Sequence, residues 1–409
     1  MILIIGGGAS GLMAAIAAGN AIGGKNVKIL EKNERIGRKL LATGNGKCNL
    51  SNINSKPSDY QSEPQFCEYV LKHYGPKHII DIFNRFGLVV KIEKDGRVYP
   101  KCSQSSAVLD VLRNEISRLD IEVIRAEVKN LSLKGTVFSV MLSSNKNITG
   151  KSVIVATGGR AAPVFGSDGS GYHLLTRMGH ELTDVYPVLV QLRTSFDDIK
   201  SLNGIRAYAR ISLKGNGGII AHEEGELQFT NYGISGIPAL NVSAKAGQGS
   251  RIEIDFSPDT DNAVLFRLLQ DRANNLSTLS AESFFVGFFH KTIGRLLLKY
   301  ADIPRSLPVS QFTLKELNKL TKTIKSFYMP LSGVLGFKEA QATGGGICTD
   351  GFNPKTMESL LQKGLFAAGE VLDVYGPCGG YNLQWAWSSG YAAGLSASKY
   401  WFRKGKEHS

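Results

Sequence analysis

A glycine-rich turn near the N-terminus has the spacing of a phosphate-binding site. Gly6, Gly8 and Gly11 stand between an apolar run, residues 1–5, and a run of small residues, 12–18. In this pattern Gly6 makes the turn out of a strand, Gly8 leaves room for a pyrophosphate, and Gly11 allows the next helix to pack closely on the sheet. The anion then lies on N–H groups at the helix N-terminus. The alternative is a glycine turn with a purely structural role.

An acidic residue stands at the distance that such a site requires. The apolar stretch 27–30 predicts a second strand, and Glu31 follows it 20 residues after Gly11. At this spacing an acidic side chain binds an adenosine ribose. The combination of strand, turn, helix and acid predicts a dinucleotide site.

A second glycine-rich helix start lies near the C-terminus. The predicted strand 364–368 ends at Gly369 and Glu370, and Gly379 and Gly380 precede the predicted helix 385–398. Simple NAD enzymes do not need such an element. In FAD proteins of the glutathione-reductase class, a carboxylate binds the ribitol, and a helix N-terminus stabilises negative charge on the flavin. The sequence therefore predicts FAD, although Glu370 could instead cap a helix.

Four stretches, residues 6–11, 37–52, 226–236 and 369–384, carry a resemblance to a known family. The chain resembles the bacterial YhiN-like flavoproteins, which include bile-acid delta-4,6-reductase-like enzymes, and it is more distantly similar to fumarate reductase flavoproteins. The resemblance implies an α/β fold: a glutathione-reductase-type, two-dinucleotide, Rossmann-like FAD domain with an inserted β-barrel and a small helical domain. Residues 1–188 and 337–409 would bind FAD. Residues 189–336 would form a substrate or cap domain, mainly β over 189–258 and mainly helical over 259–326.

Motif matching assigns the pyrophosphate to the first turn, the adenosine ribose to Glu31, the ribitol to Glu370, and the flavin ring to the start of the last helix. The expected cofactor contacts are Gly6, Gly8, Ala9, Ser10, Gly11, Glu31, Lys32, Arg38, Lys39, Thr43, Gly44, Gly46, Cys48, Asn49, Val128, Ala156, Thr157, Gly158, Gly369, Glu370, Gly380, Asn382 and Leu383.

Periodicity predicts the elements between these motifs. The expected helices span 64–86 and 105–119, a hairpin spans 89–99, an antiparallel meander spans 121–149, and strands span 152–156, 209–214, 218–222, 226–230 and 251–255. Thr313 and Glu316 have the spacing of a capping box.

Several reactive side chains have more than one interpretation. Cys48 could be a nucleophile or a buried packing thiol, and the packing role is favoured because no partner cysteine or histidine is evident. Tyr232, Tyr375 and Tyr381 could donate protons or simply pack. The seven histidines lack metal-ligand spacing, so we expect no metal site. No catalytic residue is assigned.

Composition narrows the class of protein. The 409 residues include five cysteines, which form no Cys-x-x-Cys pair, so neither a disulfide framework nor a zinc ribbon is predicted. No apolar run is long enough for a membrane helix, and we expect a cytoplasmic protein. The net charge of +13 comes from scattered residues, so nucleic acid is not the expected partner.

The predicted activity is FAD-dependent hydride transfer to or from a carbon–carbon bond next to a carbonyl of a small molecule. Only one Gly-x-Gly-x-x-Gly follows a strand, so no separate NAD(P) domain is predicted. NAD(P)H would have to visit the substrate site transiently as electron source, or another donor would serve. A tRNA-modifying flavoprotein and a non-catalytic flavin redox sensor are the alternatives. Substrate identity and oligomeric state stay open.

Overall fold

The chain folds into two compact units. The computed structural model of the protein describes residues 1–247 and 249–406. The first unit comprises residues 1–187 together with the described residues from 340 onward, and the second comprises residues 188–339.

The helices are α1 (Ala9–Ile22), α2 (Arg38–Ala42), α3 (Pro64–His73), α4 (Pro76–Arg85), α5 (Ser105–Arg118), α6 (Tyr172–Thr176), α7 (Ile237–Val242), α8 (Asn262–Asn275), α9 (Lys291–Tyr300), α10 (Leu314–Lys325) and α11 (Tyr381–Lys406).

The strands are β1 (Ile2–Ile5), β2 (Val27–Glu31), β3 (Ser51–Asn52), β4 (Val90–Ile92), β5 (Arg97–Pro100), β6 (Glu122–Arg125), β7 (Val128–Lys134), β8 (Val137–Leu142), β9 (Asn147–Gly150), β10 (Ser152–Val155), β11 (Tyr186–Val188), β12 (Leu192–Thr194), β13 (Arg206–Gly215), β14 (Gly218–Phe229), β15 (Gly233–Ser235), β16 (Arg251–Asp255), β17 (Phe327–Val334), β18 (Ala342–Gly344) and β19 (Leu365–Ala367).

A five-stranded parallel sheet forms the centre of the first unit, in the order β19-β10-β1-β2-β6. Strand β1 is buried along its whole length, as expected of a parallel strand with both faces covered. The chain leaves β1 toward β2 on one side and later places β10 on the other. The strand order thus reverses beside β1, and in such sheets ligands bind at the carboxyl ends of the strands at this point.

Helices α1 and α11 pack against each other through glycines of α11. A Cβ atom at Gly390 would lie 2.3 Å from the carbonyl oxygen of Ser10, and one at Gly394 would lie 2.3 Å from that of Ala14. Because only glycine allows this approach, the C-terminal helix lies directly on the helix that follows the phosphate-binding turn.

The second unit contains a closed barrel with strands in the order β12-β15-β14-β13-β16-β17. Helices α8, α9 and α10 belong to the same unit and share its apolar core. The predicted capping box is present at the start of α10, where the backbone N–H of Thr313 donates to Glu316 Oε2 at 3.0 Å. The predicted α/β class, with a Rossmann-like domain, a barrel and helices, is confirmed.

Three element predictions were wrong in detail. The segment 64–86 forms two helices, α3 and α4, because Pro76 has no N–H group and cannot continue a helix from the preceding turn. The segment expected to open the meander contains β6, which pairs in parallel with β2. The segments 218–222 and 226–230 join in one strand, β14, which pairs with β13 along its length. Alternation of apolar residues identifies a strand but not its partner.

Candidate cofactor-binding site

The carboxyl ends of β1, β2, β10 and β19 bring the predicted motifs to one edge of the sheet. Gly6 follows β1 with a φ of +106°, and a Cβ atom there would lie 2.4 Å from the carbonyl oxygen of Ala156, the residue after β10. Glycine is therefore required at Gly6 both by its backbone conformation and by its close contact with the neighbouring strand.

Gly8 has a different reason to be glycine. It precedes α1 with a φ of −84°, which any residue can adopt. A Cβ atom at Gly8 would meet no protein atom within 4 Å. The protein itself therefore does not demand glycine here, and the space in front of the residue fits a ligand.

The first turn of α1 presents backbone donors to this space. The first intrahelical hydrogen bond joins the N–H of Leu12 to the carbonyl oxygen of Gly8 at 2.9 Å, so the amides of Ala9, Ser10 and Gly11 precede it. Amides in this position bind anions. Gly11 itself packs on the turn, since its Cβ would lie 1.9 Å from the carbonyl oxygen of Gly6.

Glu31 is fixed beside the turn by three hydrogen bonds. Its Oε2 accepts from the N–H of Gly7 at 2.7 Å, and its Oε1 accepts from the backbone N–H and the side-chain amide of Asn33, both at 2.7 Å. Each carboxylate oxygen has two lone pairs, so acceptor capacity remains for a ribose hydroxyl.

A groove of about 1300 Å³, counting its solvent-open part, runs along this edge of the sheet. Most of the predicted contact residues line it, namely Gly6, Gly8, Ala9, Ser10, Glu31, Lys32, Arg38, Lys39, Thr43, Val128, Ala156, Thr157, Gly158, Glu370, Asn382 and Leu383. The hydroxyl oxygen of Thr157 is buried without a hydrogen-bond partner, which indicates a place for a polar ligand atom.

The other predicted contact residues are not part of the wall of the groove: Gly11, Gly44, Gly46, Cys48, Asn49, Gly369 and Gly380. Gly44 and Gly46 lie on an exposed loop with positive φ angles of +57° and +82°. Gly369 and Gly380 allow close packing, since their Cβ atoms would lie 2.5 Å from Ser10 Oγ and 2.3 Å from the carbonyl oxygen of Ser51.

Glu370 faces the groove and does not cap a helix. Its Oε1 accepts from the backbone N–H of Thr343 at 2.8 Å, and its Oε2 pairs with Lys39 Nζ at 2.9 Å. Both side chains line the groove although 331 residues separate them in sequence. The groove thus has a carboxylate at each of two points, Glu31 and Glu370.

The start of α11 contributes backbone donors, but the side chain of Asn382 is already used. Its Oδ1 accepts from the N–H of Gly376 and its Nδ2 donates to the carbonyl oxygen of the same residue, both at 2.9 Å. The backbone amides of Asn382 and Leu383 precede the first intrahelical hydrogen bond, from Gln384 to Gly380. Asn382 can therefore offer its backbone N–H to a ligand, whereas its side chain holds the preceding loop.

Cys48 has the properties of a packing thiol. The residue is fully buried. Burial raises the pKa of its thiol to about 11, against a smaller opposite effect of a hydrogen bond with Thr43. Since the thiolate is the nucleophilic form, the favoured interpretation of Cys48 agrees with its surroundings.

The hydroxyl of Tyr375 contacts that of another tyrosine. Its hydroxyl lies 3.2 Å from that of Tyr186, whose side chain is 41% exposed. Burial and the contact with Tyr186 raise the pKa of Tyr375, so its hydroxyl holds its proton. Tyr381 lies in the same unit as Tyr375, and Tyr232 belongs to the second unit.

Sequence analysis predicted Lys32 as a cofactor contact but not its partners. Lys32 Nζ pairs with Asp168 Oδ1 at 2.6 Å and donates to Ser170 Oγ at 3.1 Å, which joins the glycine-rich loop 166–171 to the end of β2. The ion pair and the hydrogen bonds from Ser170 outweigh the effect of burial and lower the pKa of Asp168 to about 2. No local pattern could reveal this contact, because Lys32 and Asp168 are 136 residues apart in sequence.

Neither a metal-binding cluster nor a membrane-spanning helix is found among the described residues. In residues 1–247 and 249–406, no cluster of three histidine, cysteine or acidic side chains could hold a metal ion. Within the same part of the chain, no helix combines the length and hydropathy needed to cross a membrane.

The family described as HI0933-like protein Rossmann domain matches residues 1–396. The chain belongs to this family. One relative, the 3-dehydro-bile acid delta(4,6)-reductase of Clostridium scindens, is 37% identical over 406 residues, which cover 97% of this chain and 98% of the relative. Another, the ribosomal RNA dihydrouridine synthase of Escherichia coli, is 28% identical over 396 residues, or 95% and 96% of the two chains.

Among solved structures, the open conformation of a flavocytochrome c3 fumarate reductase aligns with 98% of this chain and 78% of its own, at a TM-score of 0.46 and 17% identity. The family predicted from the motifs is confirmed. Membership of this flavoprotein family, together with a named reductase as relative, makes the protein an enzyme, a flavin-dependent oxidoreductase. The non-catalytic sensor is thereby set aside.

Proposed function

We propose that the protein uses FAD to reduce a carbon–carbon double bond conjugated with a carbonyl group in a small molecule. The observation that carries the choice of FAD is the groove that runs from the N-terminus of α1 to that of α11, with one carboxylate near each helix start. This arrangement fits the two ends of an FAD molecule. A mononucleotide is too short to contact both helix N-termini.

The residues present fit FAD in the following way. The amides of Ala9 and Ser10, with the open space at Gly8, would hold the pyrophosphate, and Glu31 would hold the adenosine ribose. Glu370 would hold the ribityl chain. The first amides of α11, at Asn382 and Leu383, would stabilise negative charge on the pyrimidine edge of the ring.

FAD, when bound, supplies hydride transfer at its N5 position. The names of the two relatives share one chemistry: a 3-oxo-4,6-diene steroid and a uracil ring each contain a double bond conjugated with a carbonyl. Reduction of such a bond adds hydride to the β-carbon and a proton to the α-carbon. We propose Tyr375 as the proton donor. Its hydroxyl contacts that of Tyr186, and Tyr186 is itself exposed to solvent, which could replace the proton.

We further propose that residues 188–339 form the substrate domain and that NAD(P)H delivers electrons by visiting the flavin transiently. The groove described above would be filled by FAD itself. Anaerobic mixing of the FAD-loaded protein with NADH or NADPH should bleach the oxidised flavin absorbance. A protein that bleaches with dithionite but with neither nucleotide would show that another donor operates.

The decisive test begins with the visible spectrum and identification of the released cofactor. Purified protein, or apoprotein loaded with FAD, should show oxidised flavin bands, and the reduced enzyme should be reoxidised anaerobically by a 3-oxo-4,6-diene steroid. A protein that stays colourless after loading would refute the FAD assignment. Bound FAD that no conjugated enone reoxidises would refute the substrate class alone.

Reduction of uracil in RNA is the second candidate. It is favoured by the rRNA dihydrouridine synthases of Escherichia coli and Haemophilus influenzae, each 28% identical to this chain. It predicts dihydrouridine in unmodified ribosomal RNA after incubation with reduced enzyme. RNA retention should also fall steeply as the salt concentration rises, because protein binding releases cations from the RNA phosphates and added salt opposes this release. Absence of both results would leave the small-molecule reaction.

A further inference from the structure

The ion pair between Lys39 and Glu370 is part of the wall of the groove. Lys39 Nζ lies 2.9 Å from Glu370 Oε2, and the side chains are only 28% and 21% exposed. The other carboxylate oxygen of Glu370 accepts from the backbone N–H of Thr343 at 2.8 Å. The carboxylate is thus held at both oxygens.

The backbone just before Lys39 is anchored to the phosphate-binding turn and to α5. Gly37, just before α2, donates its N–H to the carbonyl oxygen of Gly7 at 2.8 Å, which joins α2 to the phosphate-binding turn. Gly37 has a φ of +74°, and a Cβ atom there would lie 2.2 Å from Leu109 Cδ1 on α5. The position of Lys39 is therefore coupled to the position of the turn.

We propose that Lys39 is a positioning residue for FAD, which acts by holding the carboxylate of Glu370 in the orientation that receives the ribityl hydroxyls. This inference rests on the proposed function. Each oxygen of Glu370 keeps a lone pair beyond the bonds to Lys39 and Thr343, so Lys39 orients the acceptor without occupying it. Without Lys39 the carboxylate would be held at one oxygen only, and ordering it would cost binding free energy.

The test is an FAD titration of full-length apoprotein, read by flavin fluorescence. K39Q should raise the Kd about 10-fold or more, as expected for loss of one charge-assisted hydrogen bond, and K39R should stay within about threefold of the unaltered protein. K28Q is the matched control. It breaks the pair between Lys28 and Glu122, which are 2.7 Å apart on the same unit and do not line the groove, so the Kd should not change.

A double-mutant cycle separates action through Glu370 from direct contact with FAD. If Lys39 acts through Glu370, E370Q and the double variant K39Q/E370Q should have the same Kd within about twofold. Multiplicative losses would overturn the proposal, and so would a Kd for K39Q equal to that of the unaltered protein. Failure of the unaltered protein to bind FAD would refute the proposed function. Binding of FAD by the unaltered protein without the expected pattern among the variants would refute only the role of Lys39.

Discussion

The N–H of Gly7 donates to Glu31 Oε2 at 2.7 Å, which ties the phosphate-binding turn to the end of the neighbouring strand. The bond is buried and joins residues 24 positions apart. It positions the acidic side chain relative to the turn before any ligand arrives. The spacing that is visible in the sequence therefore corresponds to a direct physical link.

Substitution of Gly8 should abolish FAD binding without unfolding the protein. G8V adds a side chain to open groove space at an ordinary backbone conformation. We expect the Kd for FAD to rise at least about 100-fold, while the free energy of unfolding of the apoprotein changes by less than about 1 kcal/mol. Equilibrium titration and urea unfolding measure the two quantities. The control is G217V, at a glycine of the second unit where an added Cβ atom would also meet no protein atom, and it should leave FAD binding unchanged. If G8V bound FAD as tightly as the unaltered protein, the pyrophosphate would have to lie elsewhere.

Substitution of Gly11 should mainly lower the free energy of unfolding, in contrast to substitution of Gly8. G11A places a Cβ atom 1.9 Å from the backbone oxygen of Gly6, a contact that only movement of α1 can relieve. We expect destabilisation of about 2 to 4 kcal/mol, seen as a lower urea midpoint of the apoprotein. Stability equal to that of the unaltered protein would mean that the turn and helix are less closely packed than described.

Cys48 should resist alkylation at pH 8. With a pKa of about 11 its thiolate is present in about one molecule in a thousand at this pH, and the side chain is buried. Mass spectrometry after iodoacetamide treatment should find the exposed Cys102 modified and Cys48 unmodified until urea is added. C48A should retain FAD. Rapid labelling of Cys48 in the folded protein would instead support the interpretation of Cys48 as a nucleophile.

His180 should make the protein less stable in mild acid. Its ring stacks on Phe352 with centroids 4.2 Å apart, its Nε2 lies 2.9 Å from Ser359 Oγ, and burial lowers its pKa to about 4. As the pH falls, His180 therefore binds a proton near pH 6.5 in the unfolded state but only near pH 4 in the folded state. This contribution to stability is fully present above pH 6.5 and is lost as the pH falls toward 4.

The expected loss for His180 is about 1 to 2 kcal/mol between pH 7 and pH 5. Urea unfolding at the two pH values measures it. In H180Q the difference between the two values should shrink by about this amount. An identical difference in both proteins would show that other groups cause the acid sensitivity.

Local spacing made part of the site predictable. Gly6, Gly8, Gly11 and Glu31 lie close together in sequence, and their types follow from the turn, the space in front of the helix and the ribose contact. The break between α3 and α4 is equally local, because Pro76 cannot continue a helix, but the helical periodicity on both sides of it conceals the break. The parallel partner of β6 was not predictable, because a short alternating segment pairs equally well in either direction.

The sequence by itself determined the fold class, the family and the residue types of the phosphate-binding turn, because these depend on periodicity and short-range spacing. Only the tertiary structure decided which distant side chains meet. It paired Lys39 with Glu370 and Lys32 with Asp168, and it committed the side chain of Asn382 to the loop at Gly376. The physical reason is that an ion pair or a hydrogen bond depends on distances in space, which a single sequence does not encode as a local pattern.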